Sequence, residues 1–239
     1  MTDAVTRYLQ DTRRAATRTV EAVIVSRLGQ VMGLYQGLPE LRGFWPFSSI
    51  NENAAALDLS GQGRTLTNNG VSRAVITSGL PVSVMNGASQ YWSRASEAGL
   101  NITGALTILA WFNTSTNDAV ARYLAQKDGY ALYFYNGTLS FQAIGATSGY
   151  ISNGAVVTNS IWHFVAARFT PSTNVKLTVD GMTYTSTATI PAALNTGGSA
   201  FQTGTSFAGN LALLAICAAA LSDAQISQIY NATHGLFGV

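Results

Sequence analysis

The sequence has little charge. Only 10% of its 239 residues are Asp, Glu, Lys or Arg, while 47% are hydrophobic; soluble proteins usually carry about a quarter charged residues. This balance is the opposite of disorder, so we expect a folded domain whose surface takes its polarity from Ser, Thr, Asn and Gln. The formal net charge is +2, which argues against a nucleic-acid-binding surface.

Cysteine and long apolar runs are also scarce. Cys217 is the only cysteine, so an internal disulfide and a thiolate metal cluster are excluded, and its apolar neighbours predict a buried side chain. No apolar run is long enough to cross a membrane. Arg13, Arg14 and Arg18 interrupt the place where a signal peptide needs an apolar stretch. We therefore expect no membrane span and no secretion by the ordinary route.

Paired catalytic carboxylates are missing. The chain has four glutamates, Glu21, Glu40, Glu52 and Glu97. They are scattered, and none has an Asp two residues on, whereas glycoside hydrolases use two carboxylates a few ångströms apart. His163 lies in an apolar strand pattern and is interpreted as a packing or hydrogen-bonding histidine. The sequence therefore predicts a protein that is not an enzyme.

Residues 1–40 are predicted to form a helical arm followed by a linker. No Pro occurs before Pro39 and no Gly before Gly29, and apolar residues recur at helical spacing. Gly29, Gly33, Gly37 and Pro39 are expected to break the helix. The apolar stripe consists of Val5, Leu9, Ala16, Val20, Val23, Ile24, Leu28 and Val31.

This stripe makes an imperfect coiled-coil seam. The heptad register through Val5 and Leu9 also places polar residues in the seam, so the stripe fits a partner's groove at least as well as its own copy. We interpret the segment as an anchor or oligomerisation arm. A helix that folds back on its own domain is the alternative.

Residues 41–239 are predicted to form a mostly β domain. Short alternating runs separated by turn signals indicate a two-sheet antiparallel jelly-roll sandwich. The two-residue turn at Asn136-Gly137 predicts a hairpin that pairs Tyr135 with Thr138. A second turn at Asp180-Gly181 predicts the pairing of Val179 with Met182.

Two further segments have clear signals. The run Leu106–Phe112 is apolar at nearly every position, as expected of a central strand that is covered on both faces. Near the end of the chain, Ser222 and Gln225 form a capping box, and Ile226, Ile229 and Tyr230 give one apolar face, which predicts a short C-terminal helix.

The order of several motifs resembles the laminin-G-like, concanavalin A-like jelly-roll family over roughly residues 44–235. The motifs are Trp45-Pro46-Phe47 with Asp58-Leu59-Ser60-Gly61-Gln62-Gly63, Met85-Asn86-Gly87 before Tyr91, Thr107–Phe112, Gln126–Tyr130, Trp162–Val165, Val179-Asp180-Gly181 and Leu221–Ile226. The resemblance implies a sandwich used for adhesion and carbohydrate recognition, often with calcium at one rim.

The chain departs from this family at the acidic pair that commonly precedes the last helix, where it has Asn210–Leu214. Calcium prefers several oxygen ligands, including charged ones. Asp58 remains, and two interpretations are open for it. It could hold calcium weakly with backbone carbonyls near Ser60 and Gln62, or it could cap its own loop.

Candidate ligand-binding residues are aromatic. Tyr133 and Tyr135 lie on the polar face of the first predicted hairpin, where they form either a platform for a sugar or a contact with another sheet or subunit. Tyr91 follows a turn and could line a rim, although the family uses an aromatic residue there for the core.

Together these features predict a virion-associated adhesion protein, such as a bacteriophage tail, fibre or capsid-decoration protein. Its helical arm would dock to other virion proteins, and its sandwich would face outward towards cell-surface glycan. A homotrimer is compatible with a viral appendage, but the imperfect heptads do not establish a homo-oligomer. The alternatives are a purely architectural virion subunit that binds no glycan, and a bacterial surface lectin.

Overall fold

A computed structural model describes residues 29–47, 54–116, 118–154, 157 and 159–239. These residues form a mostly β structure in which two antiparallel sheets pack face to face as a sandwich. The helical parts are residues 29–36 (α1), the 3₁₀ turn Ala98–Leu100 and the C-terminal helix Asp223–Phe237 (α2).

The first sheet has eight strands among the described residues. They are β1 (Leu41–Trp45), β3 (Ser72–Val75), β4 (Pro81–Asn86), β6 (Leu106–Thr114), β11 (Trp162–Thr170), β12 (Asn174–Val179), β13 (Met182–Ser186) and β15 (Ala208–Cys217). The order across the sheet is β13-β12-β11-β6-β15-β4-β3, and β1 also pairs with β15. Strand β6 therefore lies in the middle, as the sequence predicts.

The second sheet has seven strands in the same part of the chain. They are β2 (Thr67–Asn69), β5 (Tyr91–Arg94), β7 (Arg122–Lys127), β8 (Tyr130–Tyr135), β9 (Thr138–Ile144), β10 (Ser148–Ser152) and β14 (Phe201–Thr203). Their order is β10-β9-β8-β7-β14-β5-β2.

The structure confirms the predicted hairpin registers. Tyr135 pairs with Thr138 across the turn from β8 to β9, and Val179 pairs with Met182 across the turn from β12 to β13. Asn136 has a positive φ, which Asn tolerates at this turn position. These turns matter for the site, because a register shift of one residue would turn every side chain to the opposite face.

Two apolar cores lie on either side of the eight-stranded sheet. One fills the space between the two sheets and includes Trp92, Phe141 and Phe169. The other lies outside, where the helices cover the sheet and Trp111 stacks on Phe237. A bulge in β15 serves both cores: Ala212 and Leu213 face the helices, whereas Leu214 faces the other sheet.

The described end of the predicted arm packs on the sandwich. Val31, Tyr35 and Leu38 are buried with the core under the helices, and the ring of Tyr35 stacks on Phe44 of β1 with 4.6 Å between centroids. The expectation that Gly29 and Gly33 break the helix is wrong, because both lie within α1; the helix ends instead at residue 36, just before Gly37. The stripe residues from Val5 to Leu28 lie outside the described part of the chain, so the long arm stays a prediction.

The C-terminal helix begins as predicted. The hydroxyl oxygen of Ser222 accepts a hydrogen bond from the backbone N–H of Gln225, and the Gln225 side chain returns to the backbone N–H of Ser222. The nearly buried Arg168 of β11 ties this end of the helix to the sheet. Its guanidinium donates to the carbonyl of Leu221 and lies 2.5 Å from Asp223, whose pKa it holds below the usual value.

Replacement of Arg168 should loosen the attachment of α2. We expect Arg168→Ala to lower the free energy of unfolding by about 3 kcal/mol, since it leaves buried acceptors without their donor. Lys176→Ala is the matched control, because Lys176 is also near Asp223, at 3.5 Å, but is more exposed; its effect should stay below about 1 kcal/mol. Urea unfolding at neutral pH measures both, and equal losses would contradict this role of Arg168.

Candidate functional site

The outer face of the seven-stranded sheet carries a group of tyrosines, which we call the tyrosine face. Tyr133 on β8 lies directly opposite Tyr123 on β7 and Ser140 on β9. Residues on either side of Tyr133, Leu132 and Phe134, point into the core between the sheets. Strand alternation therefore directs Tyr133 and its two partners away from the core.

A β-bulge completes this face. Tyr123 and Gln126 are three residues apart, and such residues point to opposite sides of a regular strand. The register of β7 shifts between Tyr123 and Ala125, so that Leu124 and Ala125 both enter the core. The extra residue returns Gln126 to the outer face beside Tyr123.

These side chains surround a shallow cavity of about 410 Å³. Its described lining residues are Ala121, Tyr123, Gln126, Lys127, Ala131, Tyr133, Tyr135, Gln142 and Ile144. Tyr135 is 46% exposed, and the ring centroids of Tyr123 and Tyr133 are 5.6 Å apart. Aromatic walls with a few amides are typical of sites that bind sugar rings.

Hydroxyl groups hold the tyrosine rings in place. The hydroxyls of Tyr150 and Ser140 are 3.0 Å apart, although Ser140 is almost fully buried and Tyr150 is 48% exposed. Because Tyr150 pairs with Gln142 and not with Ser140, its side chain leans diagonally across β9 to reach this partner. Burial, followed by the nearby Tyr150 and Tyr123, raises the pKa of Tyr133 to about 12. Its phenol therefore stays neutral at physiological pH.

A pair of amides extends the face onto the next strand. Gln126 Nε2 donates a hydrogen bond of 3.1 Å to Gln202 Oε1 on β14. The bond uses one polar atom of each amide, and it fixes the orientation of both side chains. Gln126 Oε1 and Gln202 Nε2 take no part in this bond.

The charge at this cavity is neutralised within the protein. Lys127 is the charged residue among the described lining residues, and its side chain is only 2% exposed. Its Nζ lies within hydrogen-bond distance of Ser96 Oγ, Asp128 Oδ2 and the carbonyl of Ser199. The lysine therefore anchors the neighbouring loop and offers little charge to a ligand.

The structure brings together two of the three tyrosines predicted to bind ligand. Tyr133 and Tyr135 line the cavity, whereas Tyr91 on β5 does not. Tyr91 is half-buried, and the adjacent Trp92 supplies the core aromatic residue. Tyr123 and Tyr150 are not among the residues predicted from the sequence. The place of Tyr123 depends on the bulge in β7, and no Asn-Gly turn marks the start of β10, which carries Tyr150.

Asp58 caps its own loop. Its Oδ1 accepts hydrogen bonds from the backbone N–H groups of Phe44 and Ser60, and its Oδ2 accepts one from that of Arg64. Three N–H groups aimed at a carboxylate oppose a cation at the same oxygens. Moreover, the described residues contain no group of three His, Cys, Asp or Glu side chains that could hold a metal. The residues around Asp58 therefore do not fit the calcium site that the family resemblance implies.

The capping role of Asp58 predicts a loss of stability without a calcium effect. We expect Asp58→Ala to lower the free energy of unfolding by about 2 kcal/mol, because three partly buried N–H donors lose their acceptor. The melting temperature of the unsubstituted protein should be the same in calcium and in EDTA. A calcium-dependent rise that disappears in Asp58→Asn would restore the metal interpretation.

His163 has the packing and hydrogen-bonding role that the sequence predicts. Its ring lies 5.7 Å from that of Phe112, and its Nδ1 is 2.6 Å from Asp180 Oδ2. The other oxygen of Asp180 accepts the backbone N–H of Phe164. The pair therefore connects β11 to the turn at Asp180. Cys217 is buried as expected, and burial raises the pKa of its thiol to about 12.

Sequence comparison gives a match to a family model. The laminin G model of the concanavalin A-like lectin/glucanases superfamily matches residues 86–227. No curated protein sequence matches the chain. In the described part of the chain, no helix has the length and apolarity needed to span a membrane.

Solved structures share the fold at low sequence identity. The binding domain of Paraclostridial Mosquitocidal Protein 1 superposes with a TM-score of 0.70 and 13% identity, covering 83% of this chain and 55% of that one. The ligand-binding domain of botulinum neurotoxin serotype D was solved with N-acetylneuraminic acid. It superposes with a TM-score of 0.65 and 12% identity, covering 84% of this chain and 52% of that one. The chain thus spans about half the length of these toxin domains.

Another similar structure is matched over nearly its whole length. Domain 4 of AbnA, a GH43 extracellular arabinanase from Geobacillus stearothermophilus, was solved in complex with arabinotriose. It gives a TM-score of 0.60 and 15% identity, covering 80% of this chain and 98% of that domain.

Proposed function

Because the chain belongs to the concanavalin A-like lectin/glucanases superfamily, we propose that it is a non-enzymatic module that binds carbohydrate on the tyrosine face. The observation that carries this proposal is the cavity between Tyr123, Tyr133 and Tyr135. Exposed aromatic rings match the apolar C–H surface of a sugar ring. The neighbouring amides and hydroxyls match the polar hydroxyls of the sugar.

Preorganisation supports the same proposal. Tyr150 is held by Ser140, and Gln126 is held by Gln202, so these side chains lose little conformational freedom when a ligand arrives. The similar arabinanase domain was solved with an arabinose oligosaccharide. Its match over nearly the full domain supports a binding role for a sandwich of this size.

The chemistry of the tyrosine face supports binding without catalysis. Hydrolysis of a glycosidic bond uses two carboxyl groups a few ångströms apart. Among the described residues that line the cavity none is Asp or Glu. The ligand would therefore be held and released unchanged.

Removal of single tyrosine rings tests the proposal. On a broad glycan array, we expect saturable binding by the unsubstituted protein and a loss of about tenfold or more in affinity for Tyr133→Ala and Tyr150→Ala, because each removes a stacking surface. Tyr184→Ala is the control, since Tyr184 is also half-buried but lies on β13 of the other sheet.

The pH dependence adds a second readout. Since the Tyr133 pKa is raised to about 12, its hydroxyl keeps its proton, and affinity should be flat between about pH 5 and pH 9. A steep change near pH 6 or an equal loss in Tyr184→Ala would contradict binding at the tyrosine face.

We further propose that the sandwich is displayed on a virion through residues near the N-terminus. The basic, amphipathic composition of the first 28 residues supports attachment to a partner protein. Val31, Tyr35 and Leu38 already pack on the sandwich, so the docking stripe would be the part that precedes them.

A deletion tests virion attachment. Removal of residues 1–28 keeps α1 and should leave the melting temperature and glycan binding unchanged while it abolishes incorporation into particles. A larger deletion through residue 40 is less informative, because it also removes buried side chains from the core. Normal incorporation of the shorter protein would overturn the docking role.

A purely architectural role is the second candidate. A hollow of about 610 Å³ beside the end of α2 is lined by apolar residues that include Val75, Trp162 and Phe237. A neighbouring subunit could pack there, as apolar surface of this kind is common at interfaces. Absence of glycan binding together with loss of particle assembly in Val75→Asp would favour this role.

A further inference from the structure

The outward residues of the seven-stranded sheet form a continuous row across all its strands. Cross-strand pairing places each member opposite the next one. From β10 to β2, the row consists of Tyr150, Gln142, Ala131, Gln126, Gln202, Ser93 and Thr67. We call it the transverse row.

The length of the transverse row exceeds that of the cavity. Neighbouring strands are about 4.8 Å apart, so six intervals span about 29 Å. One sugar unit advances an extended chain by about one strand spacing, so the row matches about five or six units. Tyr150 ends the row on β10, and Tyr123, Tyr133 and Tyr135 lie beside the row on β7 and β8, so the tyrosines flank only this half of it.

We propose that the module binds an internal stretch of a long, uncharged polysaccharide that lies along the transverse row and crosses the strands. This inference rests on the proposed function, since it assumes that the tyrosine face binds carbohydrate. The tyrosines hold one end of the stretch by stacking. The amides and hydroxyls of β7, β14 and β5 hold the rest by hydrogen bonds.

The free ends of the amides supply these hydrogen bonds. The bond from Gln126 to Gln202 leaves Gln126 Oε1 as an acceptor and Gln202 Nε2 as a donor. Ser93 Oγ accepts from Asn69 Nδ2 at 2.9 Å and keeps its own proton to donate. A sugar hydroxyl both donates and accepts, so it pairs with any of the three atoms.

The middle of the transverse row is low enough for a chain to pass. Ala131 is 8% exposed and stands between the longer side chains of Gln126 and Gln142. Tyr133, two residues away on the same strand face, rises beside it. The small side chain thus forms the floor of a channel between the two halves of the row.

The charge of the described row residues favours an uncharged ligand. All seven are uncharged, and the nearby Lys127 is bonded to three oxygens. A carboxylate-bearing sugar would lose water at this surface without gaining a cation. The same residues tolerate the hydroxyls of arabinose, xylose or glucose units.

Chain length tests the proposal. The probes are arabino-, xylo- and cello-oligosaccharides from the disaccharide to the octasaccharide, with polygalacturonate as the charged comparison, and affinity is measured by calorimetry on the full chain. We expect affinity for one of the neutral series to rise by about tenfold or more from trisaccharide to hexasaccharide and then to level off. Polygalacturonate should not bind.

Variants separate the two halves of the transverse row. The double variant Ser93→Ala/Thr67→Ala should lose much of the gain between trisaccharide and hexasaccharide while it leaves trisaccharide affinity within about twofold, because neither residue lines the cavity. Ala131→Gln should block the channel, and its matched control is Ala74→Gln on β3 of the other sheet, where the alanine is exposed. Far-ultraviolet circular dichroism confirms that each variant folds.

The outcomes distinguish the inference from the proposed function. Equal affinity for trisaccharide and hexasaccharide, with loss of both in Tyr133→Ala, would overturn the long-chain proposal and leave carbohydrate binding intact. Binding of polygalacturonate would overturn the proposal that the ligand is uncharged. Absence of binding to every probe, including the glycan array, would overturn the proposed function and this inference with it.

Discussion

The eight-stranded sheet must be covered on both faces, and the rest of the structure depends on this requirement. Strands β6, β11 and β15 carry apolar residues on both sides. One side is covered by the seven-stranded sheet, and the other by α1 and α2, which bury Trp111, Phe164 and Phe44. Arg168 secures this cover at the start of α2. Among the described residues, both helices pack on the eight-stranded sheet, and the outer face of the seven-stranded sheet is the broad face of the sandwich that neither of them covers.

The position of the helices on the eight-stranded sheet explains why the candidate site lies on the seven-stranded sheet. Its strands alternate between core residues such as Leu132 and outward residues such as Tyr133. The outward side chains need no hydrophobic cover, so they are free to be tyrosines and amides with their polar atoms exposed. The alternation also gives a flat series of parallel positions, which suits an extended ligand better than a deep pocket would. The location of the candidate site therefore follows from the packing of both helices on the other sheet.

Local sequence signals predict much of the fold and only half of the site. The turn at Asn136-Gly137 fixes the register of β8 and β9, and this register places Tyr133 and Tyr135 correctly, because the signal and its result lie within a few residues. The outward position of Tyr123 beside Gln126 depends on a bulge at Leu124, which no local sequence pattern predicts. The contact between Gln126 and Gln202 joins residues 76 positions apart, and it is set by strand order rather than by composition. The wrong expectation at Gly33 also comes from a contact between distant residues. Packing of Tyr35 on Phe44 stabilises the helix by more than the modest helical cost of glycine.

In the proposed function, one physical constraint accounts for the low charge of the tyrosine face. A charged side chain on the tyrosine face would have to be stripped of water whenever a neutral sugar covered it, and this cost would be paid without a compensating ion pair. Hydroxyl and amide groups avoid the cost, because they exchange hydrogen bonds with water for equivalent bonds with sugar hydroxyls. Lys127 beside the cavity does not add such a cost, because its ammonium points into the protein and is hydrogen-bonded to three oxygens there. In the proposed function, a surface built from Tyr, Gln, Ser and Thr would bind weakly at each contact, and it would gain affinity by the number of contacts that a long chain makes along it.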